Sequence, residues 1–156
     1  MSSSDAGSTQ APPEQAGEIP WRAVRQMVDA VLGDAESRGV RVVVALSDRW
    51  GRQLAFQRQP GTVMACSAVA IGKALTACTF DAPTATLVET ISRHDQEELG
   101  RANGGLVFAG GGFPIRVAGF LLGGIGVSGA SVEEDAELAL RALAGAGFDA
   151  DFEATT

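Results

Sequence analysis

The chain has 156 residues, 46% of them hydrophobic, and a net charge of −7, which allows one domain with a real core and excludes a chain disordered throughout. The acidic balance excludes a general nucleic-acid binder, which needs a basic face to release counterions from phosphate. No run of 18 apolar residues occurs, so no transmembrane helix is expected.

Residues 1–18 are rich in Ser, Ala, Gly, Pro and acids. They read as a disordered tail without the basic and apolar segments of a secretory signal. A second tail is expected at 149–156, leaving one domain at 19–148. Within it, IPWRAVRQMVDAVLGDAESRG sets Trp21, Val24, Val28, Val31 and Leu32 on one helical face, predicting a helix over 20–38 between Pro20 and Gly39. VRVVVALSD is a continuous apolar run and predicts a strand covered on both sides. The turn residues around Gly51 and the alternating QLAFQR complete a hairpin. TVMACSAVAIGKALTACTF predicts a helix with a stripe of Met64, Ile71, Leu75 and Cys78, its remaining surface made small by alanines. Pro83 and Thr84 open a short helix to about Ser92, and Asp95–Arg101 is a further helical turn or a charged loop. GLVF predicts a short strand. FPIRVAGFLLGGIGVSG predicts a second hairpin turning at Ala118-Gly119, with Gly124 and Gly126 on one face for close backbone approach. Ser131 and Glu134 form a capping box for the last helix, and Glu133, Glu134 and Asp135 suit its positive end. Hairpins flanked by helices predict an α+β fold, an antiparallel sheet of about five strands between helical layers.

Taken together, RVVVALSDRWGRQLAFQRQPGT, IGKALTACTF, GGLVFAGGGFPIRVAGFLLGGIGVSGASVEED and the terminal helix resemble, in order and spacing, one family over roughly residues 20–146. It is that of the small haem-binding proteins of the GlcG/HbpS type, also found as the C-terminal domain of PduO-type adenosyltransferases. The resemblance implies profilin-like α/β/α layers, homo-oligomers (tetramers or octamers) and a haem or tetrapyrrole ligand. Two stretches depart from the family pattern. Asp48-Arg49-Trp50-Gly51 stands where the family usually has Asp-Ala-Gly-Gly, and Gln59-Pro60-Gly61-Thr62 where it tends to have Met-Asp-Gly-Ala.

The candidate chemistry is sparse. His94 is the only histidine, so one subunit cannot supply a two-histidine metal site; it is the candidate axial ligand to haem iron. Arg116, and also Arg58, are candidates for a propionate, with Trp50 and Phe113 as apolar walls. The bland reading gives His94 a solvated loop and pairs the arginines with the chain's many acids. Asp48, Lys73 and His94 are the acid–base candidates if the chain is instead a cofactor-independent enzyme acting on a small organic molecule. Lys73 has a plain alternative in pairing with an acid, and Asp48 in holding its own turn. A third reading is a structural or sensory module whose oligomer surface is its function. The loop Ser128–Ser131 leads into a helix N-terminus, yet matches no phosphate-loop spacing and is followed by acids that repel phosphate. Cys66 and Cys78 lie too far apart along one helix to bridge, so reduced core thiols and a cytoplasmic setting are expected.

Overall fold

A computed structural model describes residues 17–152; most of the two expected tails, 1–16 and 153–156, lies outside the described residues. The elements run α1 (Trp21–Ser37), β1 (Val43–Asp48), β2 (Gln53–Arg58), α2 (Ala65–Phe80), α3 (Thr84–Thr90), α4 (Arg93–Asn103), β3 (Gly112–Val117), β4 (Phe120–Ser128) and α5 (Val132–Gly145). The sheet is antiparallel throughout, in the order β2-β1-β4-β3. The fold is α+β, with α1 and α5 packed together on one face and α2 on the other. No helix among the described residues is long and apolar enough to cross a membrane.

Alternation along β1 explains the layering. Val44 and Leu46 join Met27, Val31, Ile125, Val127, Leu138 and Leu143 in the large core beneath α1 and α5. Val43 and Ala45 point the other way, to Ala70 and Ala74 of α2. Every residue of β1 is therefore buried, as its unbroken apolar run predicts. Ala118 and Gly119 both take positive φ, 49° and 80°, in the two-residue turn between β3 and β4. The Asp149 carboxylate accepts from both of their N–H groups, and the Asp149 N–H donates to the Arg116 carbonyl. Residues 149–152 thus follow the outer edge of β3.

Gly112, Gly124 and Gly126 share the sheet face beneath α2. A Cβ on Gly126 would stand 2.1 Å from the Ala70 carbonyl oxygen, and one on Gly124 2.1 Å from that of Ala74. One on Gly112 would stand 2.7 Å from the Lys73 carbonyl oxygen. The helix backbone rests directly on strand backbone, as the paired glycines of β4 predict.

This contact overturns most of the predicted stripe on α2, of which only Cys78 is buried. The face on the sheet is the small one, with Ala70, Lys73, Ala74, Ala77 and Cys78, while Gly72 and Thr76 are buried on the opposite side. Met64 and Ile71 are exposed and Leu75 is half-buried, because a helix this close to the sheet has no room beneath it for long side chains. Trp21 is likewise exposed rather than on the inner face of α1, whose buried residues are Val24, Met27, Val31 and Ala35. The sheet has four strands, not five, because GLVF is not a strand. That segment crosses the outside of α2 at Gly72, and the Val107 N–H donates to Thr76 Oγ1 at 2.8 Å instead of to a sheet partner. Asp95–Arg101 is helical within α4, which the Ser92 side chain caps through the Asp95 N–H.

The glycine bed predicts a sharp contrast between two substitutions. Gly126→Ala meets a backbone oxygen that cannot swing away and should cost at least about 2 kcal/mol in urea denaturation. Gly33→Ala in α1, where a Cβ meets nothing within 4 Å, should instead stabilise by about 0.5–1 kcal/mol. Equal effects would contradict the packing described.

Candidate functional site

Lys73 leaves the buried face of α2 beside Gly126 and passes through the space that Gly111 leaves open; a Cβ at Gly111 would lie 2.9 Å from its Nζ. The ammonium donates to the Val127 carbonyl at 2.8 Å and to Asp135 Oδ2 at 3.3 Å, and both side chains are almost fully buried. Asp135 sits in the first turn of α5, where its other oxygen accepts from the Ala130 N–H at 3.0 Å. The pair ties the α2 layer to the α5 layer. Burial pushes the Lys73 pKa down and the Asp135 pKa up, each opposed by the other's charge. The adjoining loop spends its donors on carboxylates, since the Ala130 N–H goes to Asp135 and the Ser131 N–H to Glu134.

Asp48 ends β1 and is buried. Its Oδ1 accepts from the Trp50 and Arg52 N–H groups, both at 2.9 Å, and its Oδ2 from Arg52 Nε at 2.8 Å. Burial alone would raise its pKa, but the Arg52 and Trp50 donors outweigh it and hold the carboxyl below its ordinary value. The carboxylate is thereby committed to shaping the turn. Asp48 pairs with Gly123 and Val44 with Val127, so Asp48 and the Lys73 ammonium are separated by about 13 Å of strand.

The turn that Asp48 shapes presents Trp50, 57% exposed, to solvent. The Arg49 and Arg52 guanidiniums lie 4.2 and 5.1 Å from its ring centroid. Gly51 packs on Leu75 of α2, and Gly105, just after α4, touches the same side chain from elsewhere. The turn and the end of α4 therefore flank the outward face of α2, where Ile71 and Leu75 stand. Behind the turn lies a cavity of about 20 Å³ lined by Ser47, Gly51, Gln53, Ile71 and Ala74 among others. Ser47 Oγ is buried there, with the Cys78 sulfur as its one potential partner among the described residues. The Cys78 thiol beside it already donates to the Asp48 carbonyl and is at best a weak acceptor.

The remaining candidates are dispersed. His94 is exposed near the start of α4. Arg116 Nε donates to Asp81 Oδ1 at 2.7 Å, and its guanidinium lies over the Phe152 ring. Phe113 is buried, its ring 5.4 Å from that of Phe152. Arg58 donates to the Thr62 carbonyl at 3.0 Å. Cys78 is buried, Cys66 half-buried, and both thiols are free. No group of three or more His, Cys, Asp or Glu side chains converges among the described residues. The structure thus gathers Asp48, Trp50 and Arg52 at one end of the sheet and Lys73 with Asp135 at the other. Sequence reasoning missed Arg49, Arg52 and Ser47. Alternation from Val43 and Ala45 already places Ser47 on the α2 face, and two arginines bracketing a Trp in a tight turn are visible in the chain.

Residues 19–144 match the family model described as Haem degrading protein HbpS-like. The chain belongs to the HbpS-like family. Its relatives include the corrinoid adenosyltransferase PduO of Citrobacter freundii, 32% identical over 140 residues. That match covers 87% of this chain and only 41% of PduO, so the chain spans about two fifths of that relative's length. Among solved structures, the PduOC:heme complex superposes with a TM-score of 0.79 at 28% identity, covering 85% of this chain and 98% of that one. A double mutant of Streptomyces reticuli HbpS gives 0.72 at 31% identity, covering 93% and 94%. In this HbpS-like chain the glycine bed and the Lys73–Asp135 pair lie within the matched region, as does the Arg-Trp-Arg turn.

Lys73→Met leaves Asp135 buried without its partner and should cost about 3–5 kcal/mol in equilibrium unfolding. Adding Asp135→Asn keeps an oxygen for the Ala130 N–H while removing the charge, and should recover much of that loss. A double variant as unstable as the sum of the singles would contradict the coupling.

Proposed function

We propose that this chain binds haem as a small homo-oligomer, a tetramer or octamer, in the cytoplasm. The observation that carries the reading is the near-complete superposition on a domain crystallised as a haem complex, within a family described by haem chemistry. The residues present suit such a ligand. An apolar ridge of Ile71 and Leu75 lies beside an exposed aromatic with two guanidiniums, over a cavity with a weakly partnered hydroxyl. His94 is exposed and is the iron ligand this reading assigns. Haem, when bound, supplies the iron centre and its redox chemistry. The protein's own groups bind the macrocycle and limit its contact with water. Arg116 and Phe113 are engaged with Asp81 and Phe152, so their part in binding requires those contacts to open.

Assembly fits the outer strand. Among the described residues β2 has an unpaired edge, and its Phe56 lies exposed, an arrangement that monomers normally blunt. Free thiols at Cys66 and Cys78 suit a reducing compartment. The cofactor-independent enzyme would need Asp48, Lys73 and His94 to share a cleft. Asp48 and the Lys73 ammonium lie beside opposite ends of β1, each already engaged by hydrogen bonds, so the geometry favours the haem reading.

Titrating haem into the purified chain should give a saturable, shifted Soret band and a rise in Tm that grows with haem concentration. His94→Ala should move that band. A spectrum indistinguishable from free haem would overturn the reading, and an unchanged band in the variant would remove His94 as ligand. Sedimentation of the same sample should show an assembly; a monomer at micromolar concentration would remove the oligomer.

A further inference from the structure

We infer that the β1–β2 turn is the carboxylate-binding end of the ligand site. Arg49 and Arg52 would take the two propionates, while Trp50 and the Ile71–Leu75 ridge of α2 would lie against the macrocycle. This rests on the haem reading and assigns a location and residues to it.

The turn does not need Trp50 or Arg49 for its own stability. Its backbone is closed by the Asp48 N–H to the Arg52 carbonyl at 2.8 Å, the Gly51 N–H to the Asp48 carbonyl at 3.0 Å, and the three bonds to the Asp48 carboxylate. A large aromatic exposed at the tip is therefore unexplained by folding. So is the clustering of two guanidiniums on it in a chain of net charge −7. Arg49 makes no salt bridge among the described residues. Arg52 spends Nε on Asp48, and its side chain remains 71% exposed. Cation–π contact holds both forks beside the ring, and a guanidinium fork matches a carboxylate in two bonds at once.

An independent feature marks the same place. Ser47 is 4% exposed, and its Oγ, on a cavity about 20 Å³ in size, has no partner stronger than the Cys78 sulfur. Such a volume admits one water or one polar ligand atom. The macrocycle would then lie over the cavity mouth, not inside it. Gly51 belongs to both the turn and the cavity wall, so carboxylate capture at Arg49 and contact with Ser47 fall within one surface.

The test compares hemin with hemin dimethyl ester, whose carboxylates are masked, on the full chain. The wild type, Arg49→Gln, the Arg49→Gln/Arg52→Gln double variant and Trp50→Ala are titrated by absorbance. Hemin affinity should fall about 10-fold in Arg49→Gln and further in the double variant. Ester affinity should be the same in the wild type and Arg49→Gln, and Trp50→Ala should weaken both ligands. Arg49 carries no ion pair among the described residues, so its variant keeps the turn intact; an unchanged Tm confirms this. Wild type that binds hemin, with Arg49→Gln and the double variant binding it equally well, overturns this assignment alone. Equal losses for hemin and ester in Arg49→Gln also overturn it. Wild type that binds no hemin overturns the haem reading, and this assignment with it.

Discussion

The structure depends on one close approach, the backbone of α2 lying on backbone at Gly112, Gly124 and Gly126. Dispersion contacts reward such proximity only when no side chain intervenes. Three consequences follow from this spacing. The helix must present its small residues to the sheet. Its longer residues, Ile71 and Leu75, must turn away from the sheet, as does Met64 at its N-terminal cap. The one long side chain on the buried face, Lys73, must run sideways past Gly111 to find an acceptor, and it finds Asp135 in the opposite layer.

Much of this architecture was legible in the chain. The two-residue turn at Ala118-Gly119, the capping box of α5 and the close approach over Gly124 and Gly126 follow from local residue chemistry, and all are present. The two failures have separate causes. The stripe on α2 was read from hydrophobicity, which assumes that large apolar side chains face the core. On a glycine bed, the available depth selects for size instead. GLVF has the composition of a strand, yet the sheet edge beside β3 is followed by residues 149–152, and GLVF is drawn over Gly72 and Thr76. Such competition between distant segments has no local signature.

The candidate site was legible in part. Lys73 with an acid, and Asp48 holding its own turn, were both stated as the plain alternatives, and both describe the observed contacts. The placement of Trp50 between two arginines required the turn geometry that Asp48 imposes. The same geometry separates two functions of charge in this HbpS-like chain. Beside one end of β1 a buried pair of opposite charges joins the layers and is sealed from solvent. At the other, positive charge is displayed on an aromatic surface in an otherwise acidic protein. Only the second is available to a ligand. The outward ridge of α2 beside it exists because the glycine bed excludes long residues from the inner face.

That link between packing and ligand surface can be read residue by residue. Gallium protoporphyrin IX, a diamagnetic analogue of haem, should shift backbone amide resonances of the labelled chain in one connected patch. The account predicts the largest shifts at residues 49–53, at residues 71–75 and at His94, with little change at Val127–Asp135 on the sealed pair. Shifts concentrated at Val127–Asp135, or on the α1–α5 face, would contradict it.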